Sequence, residues 1–516
     1  MSSPQSADSD LSIAESALQR GEDDAALQIF NSIVRNVETR ASGWYGIARC
    51  MQALGRDEDA LRPMLCALVY GFNDPQICST VLQHLAQGDR AMRIVPVMQG
   101  LLPSPATASG LFGALAQQAA SGDKEFRIEL MRVAYQLDPG NPKWRRRLVS
   151  MLASSHCSVE IVRILDGVPE VELDPVERQT LAMARALLHE QDRLAQLELQ
   201  LKDGTLDQVR RAQVMLQTNV AERSVNSLEF QLIARNTPYM DFPAYLHLET
   251  LAVCNAACNF CPYPTLERQG TRMSDELIAK ILRDLEDIPS SIKFTIAPLK
   301  VSDPFLEKRL FSIMETAAER LPSASFSLIT NGSAMTDRNL ERLTGIQNII
   351  QLSISLNDHR PEVYREVMGI PFERTVERMR ALHKRYENRD YDFEVVVSRV
   401  SDGTPADLDF VKWGRREFPA FTFGLVPRND WIGQMDLATS IDTVPDMGCN
   451  RWYMMSITAT GKVALCCMDG EEKYVVGDVS KQHLLEIYNL PDYRIMRKTM
   501  ASRRQAAAPC NGCTYV

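Results

Sequence analysis

The chain has 516 residues, which is too long for one hydrophobic core and predicts two to four domains. Its composition, 45% hydrophobic and 24% charged, is that of an ordinary soluble protein. A net charge of −9 argues against binding to nucleic acid or to an anionic membrane surface by bulk charge. The sequence has no segment typical of a signal peptide and no run of about 18 apolar residues, so we expect a cytoplasmic protein without a membrane span.

A repeated pattern covers residues 10–200, which carry apolar residues at helical spacing. Four glycines in turn-like contexts lie 34, 33 and 34 residues apart: Gly21, Gly55, Gly88 and Gly122. Mostly small residues, at which two helices can pack closely, follow twelve positions after each glycine: Ile33, Ala67, Gly100 and Ala134. This period resembles the tetratricopeptide repeat, and the resemblance implies an all-α helical-repeat solenoid.

Two roles are open to such a solenoid. Stacked repeats form a concave surface, which predicts docking of a peptide, a protein or a carrier-bound substrate. The alternative is a scaffold that only shields a catalytic domain. After the repeats, residues 201–240 carry mixed polar helical sequence that ends in RNTPYMDFP, which predicts a linker with two prolines.

Strand and helix candidates alternate over residues 241–435. The first of six strand candidates lies in AYLHLETLAV (244–253), and the last is FTFGLV (421–426). Strands separated by helical segments predict parallel βα units, with the functional site at the C-terminal ends of the strands.

Three cysteines follow the first strand candidate in the stretch CNAACNFC. A closed tetrahedral metal site needs four protein ligands, whereas three thiolates can hold three irons of a [4Fe–4S] cluster and leave the fourth iron open to a bidentate small molecule. Zinc sites favour paired CxxC elements, so zinc or a chance group of buried thiols is the weaker interpretation. The candidate ligands are Cys254, Cys258 and Cys261.

The spacing CxxxCxxC, with the aromatic Phe260 before its last cysteine, resembles the signature of the radical S-adenosylmethionine (SAM) superfamily. The resemblance implies a partial (β/α)6 barrel at residues 241–435, a [4Fe–4S] cluster that binds SAM, and an electron donor of the flavodoxin or ferredoxin type. It also implies cofactor contacts from residues near the cysteines and at strand ends: Phe260 and Tyr263 at the adenine, Thr330 and Asn331 at the ribose, Ser355 and Asn357 at the ribose or the carboxylate, and Ser398 or Arg399 after the fifth strand.

The family's Gly-Glu-Pro motif, which contacts the SAM amino group, has its best match in Ser302-Asp303-Pro304. The match keeps a carboxylate at Asp303. It departs from the family in the shorter acidic side chain and in the lost glycine.

Residues 436–516 contain a second group of cysteines. The stretch ITATGKVALCCMD predicts a β-hairpin with TGK at its tip. The order of cysteine, glycine hairpin and distant CxxC resembles the SPASM and twitch domains, and implies a small α+β domain that fully ligates one auxiliary [4Fe–4S] cluster. Zinc binding by the same four cysteines stays open. The candidate ligands are Cys449, Cys466, Cys510 and Cys513.

Two further residues are candidates for a catalytic role. Cys467 is the hairpin ligand in place of Cys466, a buried bystander, or a hydrogen-atom donor. Arg428, with Trp431, follows the sixth strand and is predicted to anchor the substrate, the alternative being a solvated arginine and a packing tryptophan.

Together these patterns predict a radical SAM enzyme that makes a 5′-deoxyadenosyl radical and abstracts hydrogen from an unactivated C–H bond. The substrate class is a peptide or protein, or a carbohydrate-type molecule, and the expected outcome is a two-electron oxidation. One alternative is an epimerase with Cys467 as the hydrogen donor. The other is a non-enzymatic repeat adaptor with a degenerate, metal-stabilised barrel.

Overall fold

The computed structural model describes residues 4–36, 39–71, 105–118, 124–388 and 390–516. The chain divides into two compact units, Met1–Leu152 and Ala153–Val516. In the described parts of the chain, no helix is both long and apolar enough to cross a membrane.

The described elements of the N-terminal unit are all α-helices: Pro4–Gln19, Asp23–Ile33, Arg40–Ala53, Asp57–Gly71, Pro105–Gln118, Lys124–Leu137 and Pro142–Ala153. Gly21 and Gly55 lie in tight turns between consecutive helices, at φ of 76° and 69°, where a side chain would be strained. Three of the predicted close-packing residues are buried: Ile33, Ala67 and Ala134. The other predicted repeat residues, Gly88, Gly100 and Gly122, lie outside the described residues, and the solenoid stays a prediction.

The C-terminal unit begins with three helices, Ser158–Asp166, Pro175–Lys202 and Gln208–Arg235. The last of these covers most of residues 201–240, where the sequence predicts a linker of helical sequence. Asp207 caps the helix by accepting a hydrogen bond from the backbone of Arg210. Mostly small and apolar residues form its buried face, and the side chains of Gln231 and Arg235 are buried with them.

Nine strands form one sheet: β1 Tyr245–Leu248, β2 Phe294–Ala297, β3 Ala324–Thr330, β4 Ile349–Ser355, β5 Glu394–Val400, β6 Thr422–Val426, β7 Met454–Ile457, β8 Lys462–Ala464 and β9 Val475–Asp478. Helices connect the first six strands: Asp275–Leu285, Leu310–Arg320, Asp337–Leu343, Pro361–Met368, Phe372–Glu387 and Pro405–Glu417. The strand order is β6-β5-β4-β3-β2-β1-β7-β8-β9, and β1 to β6 pair in parallel. The predicted parallel core is therefore confirmed, in a sheet that is not closed.

The strands of residues 436–516, where the sequence predicts a small α+β domain, extend this same sheet. β7 pairs in parallel with β1, from Tyr245 opposite Met454 to Leu248 opposite Ile457. β8 and β9 continue antiparallel, and Gly461 lies in the turn of the predicted hairpin. The open parallel sheet leaves β1 with an unpaired edge, which β7 covers. Two helices, Leu484–Tyr488 and Pro491–Thr499, follow β9.

Alternation along the strands separates a core face from a polar face. Leu246 and Leu248 of β1 belong to the large hydrophobic core, as do Met455 and Ile457 of β7. His247 lies between the two leucines, and its ring faces the hydroxyl of Ser456 on β7 at 3.4 Å. Polar side chains therefore line the face opposite the core.

Candidate active site

The first cysteine set lies on the loop directly after β1. Two backbone hydrogen bonds hold this loop against the end of the helix Pro361–Met368: Ala257 N donates to Met368 O at 2.9 Å, and Asn259 N donates to Val367 O at 3.0 Å. Because the anchors lie between the cysteines, the loop presents all three thiols from a fixed base.

Burial makes thiolates unfavourable at this loop. It raises the pKa of Cys254 to about 11 and the pKa of Cys261 to about 12. The pKa of Cys258 is raised further, by burial and by repulsion from Cys261 and Cys254. Thiols that repel each other as anions in a buried site suit a cationic partner, because coordination to iron neutralises the thiolate charge.

Asp303, in the place of the family's glutamate, lies at the centre of a hydrogen-bonded cluster beside these cysteines. Its Oδ2 accepts from Thr330 Oγ1 at 2.8 Å and from the Asn331 backbone at 2.9 Å, and its Oδ1 accepts from the Phe305 backbone at 3.1 Å. The amide nitrogen of Asn331 lies 3.8 Å from Cys254 Sγ. The structure thus brings these predicted residues together. The Asp303 carboxylate accepts its hydrogen bonds from neighbouring groups of the protein.

The flanking residues of the same motif differ in exposure. Pro304 is buried at the start of a short turn, Pro304–Leu306, and Ser302 is half-buried. Burial raises the pKa of Asp303, while its three hydrogen bonds act in the opposite direction.

The end of β4 forms a second polar group. Asn357 adopts φ of 61°, and its side chain donates to Ser355 Oγ at 2.8 Å and accepts from the backbone of Val400 at 2.9 Å. These contacts lock the predicted pair Ser355 and Asn357 to the neighbouring strand.

Arg399 does not match its predicted role as a cofactor contact, and this is a correction. Its buried guanidinium binds three carboxylates: Asp358 at 2.6 Å, Asp402 at 2.7 Å and Asp407 at 2.8 Å. Arg399 lies on the same face of β5 as the buried core residues. Its guanidinium neutralises the acidic residues in the loops after β4 and β5. The alternative candidate, Ser398, is half-buried on the opposite face.

The aromatic residues of the motif lie where the loop meets the segment after β6. Phe260 packs partly buried against the core, and its carbonyl accepts from Trp431 Nε1 at 2.8 Å. Tyr263 begins the short turn Tyr263–Thr265 and is half-buried. Arg428 lies two residues beyond β6, where its backbone N–H donates to Ser440 Oγ at 2.7 Å.

The second cysteine set comes together from three separate segments. Its four predicted members line one small cavity, together with Arg451, Trp452, Arg503 and Tyr515. Burial raises the pKa of Cys466 well above its ordinary value, and repulsion from Cys467 and Cys449 raises it further. The members of this set are Cys449, Cys466, Cys510 and Cys513.

Cys466 and Cys467 lie in different surroundings. Cys466 lines the cavity of the second set, whereas Cys467 is absent from that lining in the described structure. The charge of a Cys467 thiolate would act on Arg451, on Tyr245 at the start of β1 and on Lys300 after β2. Cys467 therefore lies close to Cys466 and Arg451 and also near the polar residues Tyr245 and Lys300.

The donors around the second set fit an iron–sulfur cluster. The indole N–H of Trp452 is buried and has no partner in hydrogen-bond geometry among the described residues. Burial raises the pKa of the Cys510 thiol to about 11. The Trp452 N–H lies close enough to Cys510 to oppose that rise. An N–H donor directed at ligating sulfur is the kind of contact that tunes such clusters.

Arg503 holds the second set together, although no sequence pattern singled it out. Its side chain is 1% exposed and donates to carbonyls on both flanks of the cavity: Gly448 at 2.9 Å, Met447 at 3.4 Å, Cys513 at 3.5 Å and Tyr515. One guanidinium thus joins the segment that precedes Cys449 to the segment that contains Cys513.

Glu249, also missed, joins the two cysteine-bearing regions. The fully buried carboxylate pairs with Arg268 and accepts from the backbone of Val301 at 3.1 Å and of Ala459 at 3.2 Å. Arg268 in turn donates to Gly470 O at 2.8 Å. The alternating polar residues Tyr245, His247 and Glu249 were a period-two signal that could have identified this polar face from the sequence.

Within the described residues, no three His, Cys, Asp or Glu side chains are gathered around a single metal ion. A [4Fe–4S] cluster spaces its cysteines more widely than one ion does, because irons and sulfides lie between them. The donor chemistry of both sets, thiols alone, is that of iron–sulfur ligation.

Two parts of the chain match models of known protein families. Residues 248–410 match the radical SAM superfamily, and residues 449–514 match SPASM, an iron–sulfur cluster-binding domain. A curated relative from Niallia circulans, S-adenosyl-L-methionine-dependent 2-deoxy-scyllo-inosamine dehydrogenase, is 24% identical over 277 residues, which are 52% of this chain and 92% of the relative.

Two solved structures resemble the chain over about half to two-thirds of its length. BtrN in complex with AdoMet and 2-DOIA matches with a TM-score of 0.38 and 18% identity, over 53% of this chain and 94% of that one. Streptococcus suis SuiB bound to precursor peptide SuiA matches with a TM-score of 0.42 and 13% identity, over 66% of this chain and 87% of that one.

The radical SAM domain implies a [4Fe–4S] cluster and SAM as cofactors, and the SPASM domain implies auxiliary iron–sulfur ligation. The protein is therefore an enzyme of the radical SAM superfamily, with a radical SAM domain at residues 248–410 and a SPASM domain at residues 449–514.

Proposed function

We propose that this enzyme oxidises an unactivated C–H position of its substrate by two electrons, with one SAM-binding cluster and one auxiliary cluster. When bound, the first cluster with SAM supplies a 5′-deoxyadenosyl radical that takes a hydrogen atom, and the auxiliary cluster supplies an acceptor for the second electron. The substrate then loses one proton to solvent. The substrate class is a peptide or protein, or a carbohydrate-type molecule.

One observation supports this proposal most directly: the two cysteine sets offer different numbers of thiols on one sheet. Cys254, Cys258 and Cys261 would hold a cluster with one iron left for SAM. The four thiols that line the second cavity would complete the coordination of a cluster, which leaves it to carry electrons. That the curated relative is a dehydrogenase also favours oxidation.

The chain's own residues would orient the cofactor and exclude water. Asn331 would donate its amide N–H to the sulfur of Cys254, and Asp303 keeps Asn331 in place. Ser355 presents a hydroxyl at the end of β4, where Asn357 fixes its position. Phe260 would border the adenine, with its carbonyl held by Trp431.

A second candidate, epimerisation, is favoured by the position of Cys467. A hydrogen donor must approach the substrate radical from the face opposite the 5′-deoxyadenosyl radical. Cys467 does not line the second cysteine cavity, and its charge acts on Tyr245 and Lys300, from whose side it would reach the substrate space. The thiol would give a hydrogen atom to the substrate carbon and would need reduction after each turnover.

Turnover in deuterated water separates the two reactions. Oxidation gives a product two hydrogens lighter, with no solvent deuterium on carbon. Solvent deuterium on a product carbon, lost in Cys467→Ala, would instead establish epimerisation. The anaerobically purified protein should contain about eight irons and eight sulfides per chain, the content of two cubane clusters, and should release 5′-deoxyadenosine from SAM under dithionite.

We further propose that the N-terminal helices dock the peptide or carrier part of the substrate. Photo-crosslinking of a substrate to the full-length enzyme tests this. Crosslinks within residues 1–152 are expected, and crosslinks confined to residues 153–516 would contradict docking on the repeats. The same experiment in cell extract can identify the electron donor, for which a flavodoxin or ferredoxin is proposed.

A further inference from the structure

Arg428 carries a positive charge with no bonded partner. Its Nε is shielded from solvent and has no hydrogen-bond acceptor, and within the described residues its guanidinium forms neither a hydrogen bond nor an ion pair. A half-buried charge in this state is costly unless a partner arrives, because its hydration is reduced without compensation.

One acidic group near Arg428, Asp402, already has other hydrogen-bond partners. The charge of Arg428 acts on Asp402. The Oδ2 of Asp402 accepts from Arg399 at 2.7 Å, and its Oδ1 accepts from the hydroxyl of Thr404 at 2.7 Å and from the Thr404 backbone at 3.1 Å. Both oxygens of Asp402 are therefore engaged with other donors, and among the described residues no hydrogen bond or ion pair joins Asp402 to Arg428.

The backbone holds Arg428 at the functional edge of the sheet. It lies two residues after β6, and a pair of hydrogen bonds with Ser440, at 2.7 and 2.8 Å, fixes its main chain. Ligand sites of open parallel sheets lie outside the C-terminal ends of the strands. Because its main chain is fixed at this edge, the Arg428 guanidinium would bind a substrate there with little further loss of conformational entropy.

The segment that follows, here called the strap (residues 428–434), reaches both cysteine sets. The indole of Trp431 donates to Phe260 O, next to Cys261. Ile432 lines the second cavity, and the amide of Gln434 donates to Asp469 at 3.3 Å. Trp431, Ile432 and Gly433 have φ of 53°, 54° and 79°, a strained run for two bulky residues, and such strain is concentrated at functional sites.

We infer that Arg428 is the anchor of an anionic group on the substrate, a carboxylate or a phosphate, held at the strap between the two cysteine sets. This inference rests on the proposed function, for which it names the substrate class. A guanidinium is suited to the role because it binds the two oxygens of either anion in a planar fork. The reacting C–H bond then lies within a few bonds of the anion, between the two cluster sites.

The test measures anion binding to the reconstituted holoenzyme, with SAM at saturation so that the carboxylate of SAM is already bound. Inorganic phosphate and acetate are the probes, titrated by calorimetry in a buffer free of other oxyanions. Arg428→Gln and Arg428→Lys are compared with Arg416→Gln, a control whose side chain is 71% exposed on the helix Pro405–Glu417.

The wild type and Arg416→Gln should bind at least one probe equally well, and Arg428→Gln should weaken that binding tenfold or more. Arg428→Lys should retain part of the affinity, because it keeps the charge and loses the fork. Stronger binding of phosphate indicates a phosphorylated substrate, and stronger binding of acetate indicates a carboxylate substrate.

Two results would overturn the inference. One is equal probe binding by Arg428→Gln and the wild type. The other is a tenfold loss of SAM affinity in Arg428→Gln, which would make the carboxylate of SAM the partner of Arg428. Failure of the proposed function is seen separately, as a wild-type enzyme that releases no 5′-deoxyadenosine from SAM under dithionite.

Discussion

The two cysteine sets are built in opposite ways. The first set occupies eight consecutive residues on one loop, and its backbone anchors, Met368 and Val367, lie on a single helix. The second set spans residues 449–513, and its thiols meet only because β7 pairs with β1 and Arg503 joins distant segments. The first set therefore depends on local geometry, and the second depends on the folded sheet.

The largest expected effect comes from removing the first cysteine set. The triple variant Cys254→Ala, Cys258→Ala, Cys261→Ala should release no more 5′-deoxyadenosine under dithionite than a reaction without enzyme. Its second cluster should keep its visible absorbance, because none of the three residues contributes to the second cavity. Cys157→Ala, which removes an isolated thiol, is the control. Retained cleavage in the triple variant would show that another set binds SAM.

Removing part of the second cysteine set should separate SAM cleavage from oxidation of the substrate. The variant Cys510→Ala, Cys513→Ala should fall from about eight irons to about four per chain, the content of one cubane cluster. It should still cleave SAM, while formation of oxidised product is lost. If metal analysis of the Cys254 triple variant instead finds zinc and no iron, the second set is a structural zinc site.

This contrast also explains what the sequence could and could not predict. Three kinds of feature can be predicted from the sequence because their residues are close together in the chain: a ligand triplet with fixed spacing, a hairpin around Gly461, and a run of alternating strands and helices. Arg503 carries no local signature, and the period-two pattern around Glu249 indicates a polar face without naming its partners, because both side chains act on backbone groups contributed by segments far away in the chain.

One interpretation from the sequence failed because it depended on distant segments. Arg399 ends a strand as a cofactor ligand would, but the loops after β4 and β5 bring three carboxylates to it. A single sequence does not reveal partners that only the fold supplies.

Substitution of Arg503 tests the second cysteine set and leaves every cysteine in place. Arg503→Met should lower the free energy of unfolding by about 2–4 kcal/mol, since it leaves several buried carbonyls without donors. The more specific result is a partial loss of auxiliary iron, with SAM cleavage retained. Arg504→Met is the matched control, because Arg504 is exposed and its Nε and Nη2 donate only to Val444. Equal iron content in both variants would remove the role assigned to Arg503.

The joint between the regions, where β1 meets β7, should be sensitive to pH through His247. Burial, and then the charges of Arg451 and Lys300, lower the pKa of this imidazole from 6.5 to about 3. Between these values the unfolded chain binds a proton that the folded chain does not. The free energy of unfolding therefore falls as the pH falls through this window, by at most about 1.4 kcal/mol per pH unit from this group.

His247→Gln removes that proton and should flatten the slope of stability between pH 6.5 and 5, measured from urea midpoints under anaerobic conditions. The exposed His189→Gln serves as the control and should keep the wild-type slope. A slope in His247→Gln equal to that of the wild type would place the acid sensitivity elsewhere.

The smallest expected effect concerns the hydrogen bond from Trp431 of the strap to Phe260 O, beside the first cysteine set. Trp431→Phe keeps an aromatic ring and removes the indole donor to Phe260 O. A hydrogen bond of this kind contributes about 1 kcal/mol, so we expect SAM affinity to fall about fivefold. Iron content should stay unchanged, because the loop keeps its anchors on Met368 and Val367. Trp44→Phe, in the N-terminal unit, controls for the loss of an indole. A SAM affinity equal to that of the wild type would show that the cysteine loop is positioned without the strap, and the contrast between a locally built and a fold-dependent set would then be sharper than the structure indicates.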